Sequence, residues 1–310
     1  MSGNYRKLLK EEAKAFDKQI KKRIKIGFVP DLRKNKFLKN FYNNIWREKK
    51  FVKIHWGQII NQIINLSKKN GKNVLEIGCG SGFLCLELAR NKLDVTGIDV
   101  SSKSIKSAKE YKNKLNEKLN LNYIAMDAND VVKIKKRYSS IIFFRSLHHF
   151  KDYKKIINLS YKILEKNGQL IIFEPFRKNF SIEAATYSFL IRNLVDNFSG
   201  KKNKKKFSIR SIDKEVNSIY YEYKYETKSK KKKQSPFDNS IDDISKVKKA
   251  LKKFKKVKVT PLDTISDKIL GGLRGKRRHE IATLIKLFDS YLNKINILKA
   301  TNYIIVAKKN

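Results

Sequence analysis

Cysteine is scarce in this chain: Cys79 and Cys85 are the only two among 310 residues. They form no CxxC pattern and are too few for a disulfide framework, so the expected setting is a reducing cytoplasm. Long apolar runs are missing as well. None reaches the roughly 20 residues of a membrane-spanning helix, and the N-terminal MSGNYRKLLKEEAKAF has no apolar stretch of the signal-peptide kind. The expectation is a soluble, intracellular protein without a transmembrane segment. Acidic residues are few, 29 against 72 Lys+Arg, which leaves a net charge of +43. Such an excess attracts nucleic acid or an anionic membrane surface. Arginine is scarce too, at 13 against 59 lysines, whereas phosphate and base recognition favours the guanidinium fork. The lysines are spread over every predicted helix and loop. They read as solvated faces, with nucleic-acid binding the minor alternative and peripheral contact with an anionic membrane left open.

What is present is a chain 41% hydrophobic and long enough for one large domain or one domain with appendages. Residues 1–70 read as helical: EEAKAFDKQIKKRI up to a break at Pro30, then FVKIHWGQIINQIINLSKK from about residue 51, with FYNNIWR between them. From residue 72 the pattern changes to short apolar runs alternating with helical periods. NVLEIGCG, LDVTGIDV, LNYIAMD, YSSIIFF and QLIIFEP predict five strands. GFLCLELARN, the hydroxyl-capped SSKSIKSAKEYKNKL and KDYKKIINLSYKILEKNG predict helices between them, the last stopped by Asn167-Gly168. This alternation argues a parallel, doubly wound α/β sheet. Beyond Pro175 the reading is a helix in FSIEAATYSFLIRNLV, a strand in NSIYYEYKYET, a helix in DDISKVKKALKKF and a strand in KVKVTPLDTI. The amphipathic EIATLIKLFDSYLNKI and a terminal strand, NYIIVAKK, complete it. SGKKNKKKF and KSKKKKQSPFDNS read as basic loops.

The stretch V-L-E-I-G-C-G-S-G joins strand to helix, with glycines at 78, 80 and 82. Glycine there lets the backbone turn tightly and approach a ligand, while the following helix offers free N–H groups. The spacing is neither the G-x-G-x-x-G dinucleotide fingerprint nor a P-loop, since no GK[ST] follows. The next strand ends in Asp99, whose carboxylate can accept both hydroxyls of a ribose.

Taken in order, ExGxGxG, GIDVS, AMDA, FFRSLHHF and LEKNGQLIIFEP resemble the class I S-adenosylmethionine-dependent methyltransferases. The resemblance is closest to the small-molecule branch, type 11/12, that includes ubiquinone and menaquinone biosynthesis enzymes. It covers residues 72–178, and more weakly 257–265 and 302–309. It implies a Rossmann-like, doubly wound, mostly parallel seven-stranded sheet with an antiparallel last strand, N-terminal helices and a C-terminal insertion region. It implies S-adenosyl-L-methionine as cofactor and a small-molecule acceptor. Glu76, Gly78, Gly80 and Gly82, with Cys79 among them, would shape the pocket for the methionine part. Asp99 would bind the ribose with Val100 against the adenine, Asp127 would meet the adenine amino group beside Ala128, and Arg145 and Ser146 would lie under the sulfonium end. The expected organisation is an N-terminal helical cap at 1–70, the cofactor core at 71–178, an acceptor-recognition insertion at 179–256, and the last two strands at 257–310 with a helical insertion at 266–301.

An alcohol or phenol acceptor needs its proton removed, work suited to a histidine. The chain has four histidines, and two adjoin in RSLHHF at the carboxyl edge of the fourth strand. Neighbours at a strand end point oppositely, so one of His148 and His149 is expected to face the acceptor. His148 is favoured, with Glu174 at the end of the fifth strand as its orienting carboxylate, and packing or capping is the alternative for each histidine. A metal site is not expected, because adjacent histidines rarely share one metal. Tyr42, Trp46 and Trp56, with His55, form either a lid or core packing. Q-S-P-F-D-N (234–239) is either a turn with local Asx bonds or a polar contact reaching back to the site. The expected activity is methyl transfer to oxygen of a sugar, a lipid-linked intermediate or a secondary metabolite. RNA methyl transfer is the alternative enzyme reading, although SLHH is neither the Asn/Asp-Pro-Pro-aromatic motif nor the Pro-Cys of nucleic-acid enzymes. A cofactor-binding protein without chemistry is the third.

Overall fold

A computed structural model describes residues 3–34, 45–198, 208–225, 235–237, 241 and 243–310. Two long helices, α1 (Gly3–Lys25) and α2 (Lys49–Asn70), precede the first strand. The alternating core follows as β1 (Asn73–Ile77), α3 (Phe83–Arg90), β2 (Asp94–Asp99), α4 (Ser102–Lys114), β3 (Leu121–Ala125), β4 (Tyr138–Phe144), α5 (Tyr153–Ile163) and β5 (Leu164–Pro175). Then come α6 (Ile182–Phe198), α7 (Ile209–Tyr225), α8 (Ile244–Ala250), β6 (Lys256–Asp263), α9 (Ser266–Ile269), α10 (Arg278–Lys294) and β7 (Asn302–Lys308).

The strands form one sheet in the order β3-β2-β1-β4-β5-β7-β6. β7 runs antiparallel to both neighbours, and every other pairing is parallel. This is the Rossmann-like α/β sheet the motif order implied. β4 is buried along its whole length, as a central strand covered on both faces must be. Its alternate residues divide between two cores. Ile142 and Phe144 pack with α2, α6 and α10, while Ile141 and Phe143 pack with α5 and α8 on the opposite face. The strand order reverses between β1 and β4, which opens a crevice at the carboxyl ends of the strands. Ser101 caps α4 by accepting the Ser104 N–H, and Asp152 caps α5 by accepting that of Lys155.

Three local expectations need correcting. NSIYYEYKYET is not a strand: residues 217–225 are the second half of α7. The tyrosines hid a helical period, for Val216 and Tyr223 are buried one face apart from the exposed Tyr221. α5 stops at Ile163, and Asn167-Gly168 lies within β5 rather than capping the helix. Asn167 takes φ 60, and the pairing with β4 shifts register between Tyr138 and Ser140, so the Asn-Gly signal marks a turn in an irregular strand. α1 ends before Gly27 at φ 81, short of Pro30. The basic loops at 199–207 and 228–240 lie outside the described residues apart from Ser235–Phe237, as does Tyr42. No helix among the described residues is long and apolar enough to cross a membrane.

Candidate functional site

A cavity of about 1430 Å³ opens at the carboxyl ends of β1, β2 and β4, with α1 across it. Its floor is the loop after β1. Gly78, Gly80 and Gly82 take φ of 77, 53 and 82, the left-handed region that favours glycine. A side chain at Gly78 would collide with Ser146 and one at Gly82 with Tyr123, whereas a Cβ at Gly80 would meet open space. Asp99, at the end of β2, accepts the Gly80 N–H on Oδ2 and the Ser101 N–H on Oδ1, both at 2.8 Å. Those bonds aim its carboxylate across the loop. Burial raises its pKa, and the two N–H donors oppose the rise.

Glu76 is buried in β1 and its Oε2 lies 2.9 Å from the Cys85 thiol. Burial pushes its carboxyl up to about 8, the charge of Asp99 adding and the Cys85 donors opposing. Cys79 and Cys85 are both free and buried, and burial lifts the Cys79 thiol to about 11. Asp127 caps the 3-10 turn Ala128–Lys133 through the Asn129 N–H at 3.0 Å and accepts the Tyr5 hydroxyl of α1 at 3.1 Å. Burial first, and then Asp127, raises the Tyr5 hydroxyl well above its usual range. Arg145 follows β4 at φ 52, held by its N–H on the Phe173 carbonyl at 2.7 Å, and its guanidinium sits 5.6 Å over the Trp56 ring. Ser146 donates to the Ile77 carbonyl at 2.6 Å.

His148 and His149 both line the cavity, against the expectation that one would turn away. The reason is local: Leu147–His149 is a 3-10 turn, so successive side chains do not alternate as they do in a strand. The two rings stand 4.1 Å apart. His148 Nδ1 lies 2.6 Å from Glu174 Oε2, and the other oxygen of Glu174 accepts the Leu147 N–H. Glu174 is fully buried and reaches the cavity only through His148. Burial lowers the His148 pKa, and the Glu174 charge opposes that effect. His149 Nδ1 lies 3.3 Å from Glu12 on α1, with the Phe16 ring edge-on at 5.0 Å.

Of the cofactor-binding and catalytic candidates named from sequence, the cavity thus brings together all except Gly82, which shapes the loop from behind, and Glu174. Trp46 and Trp56 line it, and His55 is buried against Trp56. Ser235 and Phe237 reach back to the site: the Ser235 hydroxyl and the Phe237 N–H donate to Glu12 at 2.9 and 3.1 Å. Asp238 and Asn239 lie outside the described residues. The sequence reading missed the α1 stripe of Tyr5, Leu9, Glu12, Phe16, Ile20 and Arg23, which faces the cavity at helical spacing. That spacing was available as a signal. Arg177 and Arg192 line the cavity as well, and nothing local in the sequence singles them out. Among the described residues, no group of three or more His, Cys, Asp or Glu side chains is placed to hold a metal ion.

Residues 68–237 match the model of a family described as "Methyltransferase domain". Among curated proteins, the ubiquinone biosynthesis O-methyltransferase of Coxiella burnetii is 32% identical over 124 residues, 38% of this chain and 52% of that protein. The protein of the same name from Pelagibacter ubique is 36% identical over 111 residues, 35% of this chain and 45% of its own length. The chain spans about half the length of the curated relatives it matches. A solved plantazolicin methyltransferase in complex with SAH is 19% identical across 97% of this chain and 95% of that one, with a TM-score of 0.48.

Proposed function

The chain belongs to the methyltransferase-domain family, and from that premise we propose that it transfers the methyl group of S-adenosylmethionine to an oxygen of a small-molecule acceptor. The cavity fits such a cofactor. Its loop leaves clear space beside Gly80, and Asp99 is fixed by two backbone N–H groups with lone pairs left for a ribose diol. Asp127 and Ala128 are on hand for the adenine amino group and Val100 for its ring. Glu76, Cys79, Gly78, Arg145 and Ser146 surround the end where the methionine part belongs. The bound cofactor supplies a methyl carbon already activated by a positive sulfur, so the protein aligns the acceptor and excludes water.

The observation that carries the reading is the His148–Glu174 pair on the cavity wall. With Nδ1–H donating to the Glu174 carboxylate, the neutral imidazole carries its basic lone pair on Nε2, the atom that would receive the proton of the acceptor hydroxyl. The proton of that hydroxyl passes to Nε2 as the oxygen attacks, and the Glu174 carboxylate stabilises the imidazolium that results. Both relatives compared above carry O-methyltransferase in their names, which supports oxygen as the atom methylated.

Calorimetry with S-adenosylmethionine tests the cofactor site: the wild type should bind, and Asp99→Ala should bind at least ~10-fold more weakly through the lost diol contact. Binding unchanged in Asp99→Ala overturns the assignment. The base is tested with the acceptor that a labelled-methyl screen of cell extracts identifies. His148→Ala should lower turnover about 100-fold at unchanged cofactor affinity. Because burial favours the neutral imidazole, wild-type turnover should rise with pH through a midpoint below the usual 6.5 and stay level above it. An acid limb above 6.5 excludes His148 as the base.

A further inference from the structure

Helix α10 carries polar groups inward and apolar ones outward. Beside Ala282, Ile285 and Leu292, its buried face holds Lys286, Asp289 and Asn293. Lys286 pairs with Asp263. Asp289 accepts the N–H groups of Thr264, Ile265 and Ser266 at 3.0, 2.9 and 2.7 Å, and Asn293 accepts the Thr264 hydroxyl at 2.9 Å. The outward face presents Leu284, Leu287, Phe288 and Tyr291 at 65, 58, 43 and 57% exposure, and exposed Ile295 and Ile297 follow. Spacings of three, four and seven residues put the first four on one stripe. Six of the fourteen large hydrophobic side chains exposed among the described residues thus fall in residues 284–297. Single exposed apolar residues need no explanation, but a continuous stripe of them marks a surface that something covers.

The polar bonds fix which way the helix faces. Turning the leucines inward would break the Lys286–Asp263 pair and leave buried N–H groups without an acceptor. The first turn is held too: Glu48 accepts Arg278 Nε at 3.0 Å and lies 2.7 Å from His279 Nε2. The charge around the stripe decides what can cover it. From residue 271 to 310 the exposed bases are Lys276, Arg277, Lys294, Lys299 and Lys308, and the exposed acid is Glu280. A second copy would bring a net charge of +43 against the same charge. An anionic bilayer complements it instead. Leucine and phenylalanine then enter the acyl boundary, tyrosine stands at headgroup level, and the flanking lysines reach the lipid phosphates.

We propose that α10 docks the protein on an anionic lipid bilayer, with the stripe from Leu284 to Tyr291 buried at the headgroup boundary. Ile269 and Gly272, just before the helix, line the cavity, so the docking face follows directly on one wall of that site. The proposal does not rest on the methyl-transfer reading and is testable without turnover.

The test is co-sedimentation with vesicles at about 150 mM salt, which screens diffuse attraction between charges. The wild type should bind vesicles of mixed phosphatidylcholine and phosphatidylglycerol, and bind pure phosphatidylcholine at least ~10-fold more weakly. Leu287→Gln/Phe288→Gln removes apolar area at two exposed positions and leaves the net charge unchanged. It should weaken binding to the mixed vesicles at least ~10-fold, whereas adsorption by charge alone predicts no change. Leu284→Gln serves if the double variant does not fold, with a loss of about threefold. Phe288→Trp supplies a second readout: lipids brominated on their acyl chains should quench it beyond the wild type, whose two tryptophans line the cavity. Absence of binding to the mixed vesicles, equal binding to neutral ones, undiminished binding in the variants, or no added quenching in Phe288→Trp overturns the proposal. A wild-type dimer in analytical ultracentrifugation that Leu287→Gln/Phe288→Gln dissolves, with vesicles left unbound, would show that a second copy covers the face.

Discussion

Glu76 shows how one side chain can be visible in a sequence and its chemical state not. The run VLEIGCGSG places an acid on a buried strand just before a glycine loop, and the structure puts it there. Its proton depends on neighbours from α3 and β2, which no local pattern specifies. Raised from 4.5 to about 8, the folded carboxyl holds its proton more tightly than the unfolded one. The stability tied to that proton is fully present below 4.5 and is lost as the pH rises through 8. Glu76→Gln keeps an acceptor for the Cys85 thiol and removes the titration. In thermal melts the variant should therefore gain on the wild type steadily between pH 5 and pH 9, and two melting curves that stay parallel across that range refute the buried, protonated state. RSLHHF teaches the same lesson. That Glu174 stands behind His148 was readable, because strand ends place side chains at the sheet edge. That both face the cavity was not, because it follows from a 3-10 turn of three residues.

At the scale of elements, α1 was legible as a helix and illegible as a wall. Its hydroxyl and acids reach across the cavity mouth: Tyr5 to Asp127, Asp17 to the Ser101 hydroxyl at 2.6 Å, and Glu12 to the Ser235–Phe237 turn. Tyr5 thus occupies the carboxylate that the family resemblance reserves for the adenine amino group. A cofactor that takes Asp127 has to displace or share that bond. Tyr5→Phe should accordingly tighten S-adenosylhomocysteine binding by roughly twofold to tenfold, the span of one net hydrogen bond, while Asp127→Ala weakens it. Calorimetry decides: weaker binding in Tyr5→Phe would instead make Tyr5 a ligand of the cofactor. The misread elements have physical reasons too. α7 alternates tyrosine with polar residues closely enough to mimic a strand, and only its packing against α6 discriminates the two periods. The core from β1 to β5 was readable because each strand is apolar, short and followed by a turn or cap signal.

For the whole molecule the open question is what a net charge of +43 does. If that charge served RNA recognition, arginines would be expected on the outer surface and a route would lead a base to His148. Four arginines line the cavity, and the exposed Arg6, Arg33, Arg137, Arg210 and Arg277 are scattered along the chain. Exposed lysines such as Lys10, Lys103 and Lys256 sit on separate elements rather than in one stripe. A diffuse polycation binds RNA by counterion release alone, so its affinity falls steeply and linearly with the logarithm of salt concentration. Between about 50 and 200 mM salt the loss should reach several orders of magnitude if six or more phosphates are engaged. The small-ligand cavity, being partly enclosed, is screened much less over the same range. Filter binding of a generic RNA, measured beside cofactor calorimetry from 50 to 300 mM salt, should show the first collapsing and the second nearly constant. Labelled methyl should not appear in the RNA at any of these concentrations. RNA binding that survives 300 mM salt, together with label in the RNA, would mean that the acceptor is RNA and that the arginines line its path.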